Sequence, residues 1–179
     1  GGKMATNALI SITCPDRVGI ISEVTGHLFD LGISLGDTTF SVLGAASKFT
    51  TVCTLPAEVS LKDVEESLVA IELLKGAEIN VSPFELSPEH DETAHITHRI
   101  VLKGDDQPGL IARLSEVFSE FKANVVRLNS CRVSSPDGCD YEIRFGVWIP
   151  EENVKSCLAT VDNTARSLGM ACRWHEMQQ

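Results

Sequence analysis

Apolar and polar positions alternate in two rhythms along this chain, and the same succession of rhythms runs twice. Ala8 to Thr13 alternates, with Ile10 and Ile12 its regular apolar positions, which predicts a strand ending at Pro15. Ile20, Ile21, Val24, Leu28 and Leu31 then recur at three- and four-residue steps, which puts them on one face of a helix. Gly32 supplies the left-handed residue that commonly ends such a helix. Two strands follow, Ile33 to Val42 and Lys48 to Leu55, joined through Gly44-Ala45-Ala46 as a hairpin, with Phe49, Thr51, Cys53 and Leu55 on one face. Ser60 and Asp63 have capping-box spacing, and the helix they open carries Leu61, Val64, Leu68 and Ile71 along its stripe before stopping near Gly76. Glu78 to Phe84 reads as a fourth strand.

The second run begins where Gly104-Asp105-Asp106-Gln107-Pro108-Gly109-Leu110-Ile111 answers Cys14-Pro15-Asp16-Arg17-Val18-Gly19-Ile20-Ile21, an offset of 90 residues (106 − 16). Val24 then meets Leu114, Leu28 meets Phe118, and Ile33-Ser34-Leu35 meets Ala123-Asn124-Val125. Leu55-Pro56 meets Ile149-Pro150 four residues later than that offset, which a longer turn at Ser134-Ser135-Pro136-Asp137-Gly138 absorbs. Tyr141, Ile143, Phe145, Val147 and Ile149 alternate against Asp140, Glu142, Arg144 and Gly146, so one face of that strand is buried and one is wet. Leu110, Ile111, Leu114, Phe118 and Phe121 form one helical stripe, and Val154, Leu158, Val161, Ala165 and Leu168 another, before Gly169 and a last strand from Met170 to His175.

The fold class is therefore α+β: two ferredoxin-like βαββαβ domains in tandem, each an antiparallel sheet with its helices on one face. The domains span 5–84 and 98–176. The stretch 85–97, with Pro88 and the polar run Glu89-His90-Asp91-Glu92-Thr93, reads as a linker. Gly1, Gly2 and Lys3 ahead of Met4 read as a remnant, with Met4 the expected natural start.

Charge narrows the function classes. A formal charge of -10, from 25 acidic against 15 basic residues, repels phosphate backbones and anionic lipid, and no apolar run approaches the roughly 20 residues of a membrane span. Direct nucleic-acid binding and membrane insertion are thus not expected, and any repressor role would run through a protein intermediary. The six cysteines include no C-x-x-C pair, and four sit inside apolar patterns, as buried thiols of a reducing, cytoplasmic compartment would.

Candidate chemistry gathers at the two glycine turns. A strand ending at Asp-x-x-Gly and feeding into a helix leaves unpaired N–H groups aimed at one spot, where the helix dipole also favours negative charge, so a ligand carboxylate fits there. Gly19 and Gly109 have no side chain to hold a ligand off the backbone. Ser34 and Asn124, opening the next strand, would lie beside the turns and can hydrogen-bond an amino acid. Asp16 and Asp106 also have the chemistry of helix N-caps and could sit there with no ligand.

These residues resemble the ACT domain, in the tandem form of the glycine-cleavage-system transcriptional repressors. The resemblance lies in Pro15-Asp16-Arg17-Val18-Gly19-Ile20-Ile21, Asp106-Gln107-Pro108-Gly109-Leu110-Ile111, Ala123-Asn124-Val125 and the strand-ending Leu55-Pro56 and Ile149-Pro150, and it covers nearly the whole chain. It implies a non-catalytic regulatory protein, without cofactor or metal, that binds an amino acid and modulates a protein partner, and that forms a homodimer. The implied ligand residues are Asp106, Gln107, Pro108, Gly109, Leu110 and Asn124, with Asp16, Arg17, Gly19, Ile20 and Ser34 as first-copy counterparts. The second copy keeps the glycine and asparagine pairing; the first has Ser34 for Asn and Val18 for Pro108.

Two other readings compete. One is a ligand-free interaction module whose sheets mediate dimerisation, since an uncovered edge strand seeks a partner. The other is a regulatory fragment of an enzyme similar to formyltetrahydrofolate deformylase. His90, His95 and His98 cluster beside Asp91 and Glu92, but their spacing fits no zinc pattern and they read as a solvated linker. His27 and His175 read as surface residues. Cys14 reads as a small buried side chain at a strand end, and the Glu65-Glu66 and Glu151-Glu152 pairs as helix-opening acids.

Overall fold

The computed structural model describes residues 5–105, 108–136 and 138–178, and divides the chain into two compact units at Pro88 and Glu89. The first unit runs β1 (Thr6–Pro15), α1 (Ile20–Asp30), β2 (Ser34–Leu43), β3 (Ala46–Leu55), α2 (Leu61–Val69) and β4 (Glu78–Pro83). The second runs β5 (His98–Gly104), α3 (Leu110–Glu120), β6 (Asn124–Ser135), β7 (Gly138–Trp148), α4 (Val154–Ser167) and β8 (Met170–Glu176). The sheets are antiparallel and have matching strand orders, β2-β3-β1-β4 and β6-β7-β5-β8. Both units are therefore the βαββαβ arrangement that the two rhythms predict.

Each core is made by strand alternation meeting helix stripes. In the first unit Ala8, Ile10, Ile12 and Cys14 of β1 and Phe49, Cys53 and Leu55 of β3 are buried against Ile20, Val24 and Leu28 of α1 and Val64 and Leu68 of α2. Burying each large side chain of this kind contributes about 1.5–3 kcal/mol. Thr51 is also fully buried, and its hydroxyl is satisfied by Thr38 Oγ1 at 2.7 Å, so a polar atom enters the core at little cost. In the second unit Phe118 of α3 meets Phe145 of β7 edge to face, with centroids 5.1 Å apart.

Local signals act as the sequence implies in most places. Ser60 caps α2 by a complete capping box, its hydroxyl accepting from Asp63 N while Asp63 Oδ2 accepts from Ser60 N. These bonds hold the Asp63 carboxyl below its usual range. The stripe continuing to Ile71 misleads, however. Helix α2 stops at Val69, and Glu72–Leu74 forms a separate 3-10 turn that buries Ile71 and Leu74 from outside the helix. Glu65 and Glu66 lie within α2 rather than opening it. Edge strands β2 and β6 are irregular near their starts, with register shifts between Leu35 and Thr38 in β2 and between Val125 and Arg127 in β6.

The segment before β5 is not wholly a solvated tether. Glu92–Ala94 forms a 3-10 turn, Thr97 N donates to Val147 O at 2.8 Å, and His98 opens β5 with only 4% exposure. Burial in apolar surroundings lowers the His98 pKa, opposed by the nearby Glu176 carboxylate.

Candidate functional site

In the first unit β1 carries the chain to Pro15 and the turn over 16–19 delivers it to α1. Asp16 does not cap the helix. Its N–H donates to Ala45 O at 2.9 Å and its Oδ1 accepts from Ser47 Oγ at 2.5 Å, so the carboxylate ties the turn to β3 instead. The Arg17 guanidinium reaches across to the 3-10 turn, Nη1 donating to Leu73 O at 2.6 Å and Lys75 O at 3.0 Å. Val18 is fully exposed, and Ile20 is buried as the first core residue of α1.

The helix start itself is Gly19, at φ +94°, a backbone conformation that glycine adopts without penalty. Gly19 O accepts from Glu23 N at 3.0 Å, and no side chain caps the first turn. The N–H groups of that turn are thus left for solvent or a ligand. A side-chain carbon at Gly19 would lie 3.6 Å from Leu73 Cδ2, so the 3-10 turn walls one side of the glycine.

The second unit repeats the glycine backbone. Gly109 has φ +77°, its carbonyl accepts from Arg113 N at 2.9 Å, and among the described residues nothing but its chain neighbours lies within 4 Å of the place where a side-chain carbon would stand. Pro108 is exposed and Leu110 is buried in the core. Asp106 and Gln107 lie outside the described residues, so the N-cap reading of Asp106 is left without a structural counterpart.

The two polar residues expected beside the turns differ. Ser34 begins β2 exposed, and its hydroxyl has no hydrogen-bond partner among the described residues. Asn124 begins β6 with its amide Nδ2 donating to Thr93 O at 2.8 Å. That acceptor lies on the Glu92–Ala94 turn, which the linker reading left out of the site; it shows no sequence signal beyond one polar run. Beside Ser34 an apolar groove of about 480 Å³ runs between α1 and the start of β2, lined by Ser22, Thr25, Gly26, Phe29, Ile33 and Leu35.

Among the described residues, no group of three or more His, Cys, Asp or Glu side chains could hold a metal ion, and no helix is long and apolar enough to cross a membrane. Cys14, Cys53 and Cys157 are buried free thiols, while Cys131 is exposed and Cys172 half-buried. Burial pushes the thiols of Cys53, Cys157 and Cys172 up to about 11.

No protein-family model matches the sequence, and no curated protein does. Solved structures do. A protein of unknown function from Galdieria sulphuraria aligns over 98% of this chain and 100% of its own, with a TM-score of 0.75 at 17% identity. A protein described as a glycine cleavage system transcriptional repressor aligns over 99% and 100%, with a TM-score of 0.69 at 13% identity. The chain has the tandem ACT-domain fold. At these identities the likeness is one of backbone, and in both units of this chain the turn that opens the first helix is built on a left-handed glycine.

Proposed function

We propose that the chain is a non-catalytic, cytoplasmic regulatory protein that binds an amino acid at its β1–α1 and β5–α3 glycine turns and, as a homodimer, changes its contacts with a protein partner. The observation that carries this reading is the helix start at Gly109, exposed, without a side-chain cap among the described residues and open there where a side chain would otherwise stand. A ligand carboxylate there would take up first-turn N–H groups and sit at the positive end of the α3 dipole. The first unit supports a weaker site, since Arg17 is engaged by the Leu73 and Lys75 carbonyls and the Leu73 side chain walls one side of Gly19. The regulatory part of the reading takes its cue from the neighbour described as a repressor. With a charge of -10, contact with a protein rather than with DNA suits this chain better.

A second reading is favoured by one bond. Asn124, the residue expected to meet the ligand, already donates to Thr93 O, as it would in an interaction module whose second site is filled by its own chain. Isothermal titration of the full chain with a panel of amino acids, glycine and serine first, separates the two. Saturable binding that is lost in Gly109→Val supports the sensor. Silence across the panel from a folded sample removes it, and dimerisation without ligand response then leaves the interaction module standing.

A further inference from the structure

The open face of the second sheet carries a cluster of arginines that neither the glycine turns nor the core accounts for. Strand register places Arg127 of β6 and Arg99 of β5 on either side of Gly146, with His175 of β8 beyond Arg99. One step along the strands, Asn129, Arg144 and Arg173 lie in the next row, with Val101 between the two arginines. All four arginines are exposed, and the groove they line measures about 260 Å³. Adjacent strands lie about 5 Å apart and same-face residues about 7 Å apart along a strand, so the four guanidinium groups can converge on one compact ligand.

The cluster is poorly neutralised. Arg144 pairs with Glu142 at 2.5 Å, and Lys103 in the neighbouring row faces Asp140 at 4.0 Å. Arg99, Arg127 and Arg173 have no ion-pair or hydrogen-bond partner among the described residues. Four like charges held close together repel unless an anion lies among them.

The first unit serves as an internal control. Its matching positions, by the same register and offset, are Asp37, Val52, Leu9 and Ser82 in one row and Thr39, Thr50, Ser11 and Asn80 in the next; the one charge among them, Asp37 in place of Arg127, is negative, and none is basic. The nearby Lys48 donates to the hydroxyls of Ser11 and Thr13. The fold therefore does not need arginine here. The overall charge of -10 is no obstacle, because exposed charges farther off than about 8–10 Å are screened at physiological salt.

We propose that this face is a second ligand site, distinct from the glycine turns, which binds a compact small molecule bearing two phosphate groups. Four arginines less Glu142 leave three positive charges, and a phosphate monoester carries about −1.5 to −2, so two such groups match the site. Guanidinium forks pair bidentately with phosphate oxygens, which suits this anion better than scattered carboxylates. A nucleic-acid strand would want a run of aromatic stacking surfaces, and the two arginine rows hold only the His175 imidazole and no Phe, Tyr or Trp.

The test titrates inorganic pyrophosphate into the full chain by calorimetry at constant ionic strength. Saturable binding at one site is expected. It should weaken at least about tenfold in Arg99→Gln/Arg173→Gln and in Val101→Glu, yet stay unchanged in Arg113→Gln/Arg166→Gln, which removes equal charge from the helices. No saturable binding up to about 10 mM overturns the proposal, as does an equal loss in the helix variant. Binding of an oligonucleotide or poly-glutamate without pyrophosphate overturns it equally. Amino-acid titration of the same variants keeps this outcome separate from that of the glycine turns.

Discussion

Ser47 Oγ donates a 2.5 Å hydrogen bond to the Asp16 carboxylate, fastening the exit of β1 to the start of β3. Ser47 is 1% exposed, so removing its acceptor strands a buried hydroxyl, which costs about 1–3 kcal/mol. Asp16→Ala should lower the urea midpoint at unchanged slope. Adding Ser47→Ala should cost little more, since both partners are then gone. Full additivity of the two losses would show that Asp16 acts elsewhere.

His98 makes stability depend on pH. Its native pKa is lowered from 6.5 by burial, so the unfolded chain binds its proton first as the solution is acidified. The contribution is fully present above 6.5 and is lost as pH falls through the lower native value. Unfolding free energies measured between about pH 8 and pH 5 should decline over that window, and less steeply in His98→Gln. An imidazole NMR titration with its midpoint above 6.5 would contradict the sign.

Gly104 allows a close backbone approach that its first-unit counterpart, Cys14, does not need. A side-chain carbon at Gly104 would lie 2.7 Å from Gly169 O and 2.8 Å from Met170 Sδ, whereas Cys14 is accommodated in its core. Gly104→Ala should therefore destabilise the second unit by about 1–3 kcal/mol, read as a lower melting temperature.

Lys122 holds φ +62°, where the first unit has Gly32 at +77°. A left-handed residue with a side chain costs about 1–2 kcal/mol, partly regained because glycine is freer when unfolded. Lys122→Gly should raise stability by about 0.5–1 kcal/mol in denaturant melts. A loss of similar size would mean that the lysine side chain makes an offsetting contact.

Most of the architecture was legible because it is written in local periodicity. The alternation of β1, β3 and β7, the stripes of α1, α3 and α4 and the capping box at Ser60 each depend on residues a few positions apart. What escaped depends on partners far along the chain. Asp16 leaves its capping role for Ser47, 31 residues away, and Arg17 finds Leu73, 56 residues away, on the turn where the α2 stripe breaks. Asn124 meets Thr93 from a segment whose composition reads as a linker. The glycines were the legible part of the site, because a left-handed turn needs one wherever its partners lie.

The register shifts near the starts of β2 and β6 have a consequence for solution behaviour. Both are long edge strands, 10 residues in β2 by its span and 12 in β6, and a flat edge of that length invites further chains to add on without limit. A bulge twists the edge and interrupts its ladder of free amide and carbonyl groups. The same brake on runaway polymerisation stands at the same place in both halves, so a concentrated solution of this acidic chain should stay free of fibrils.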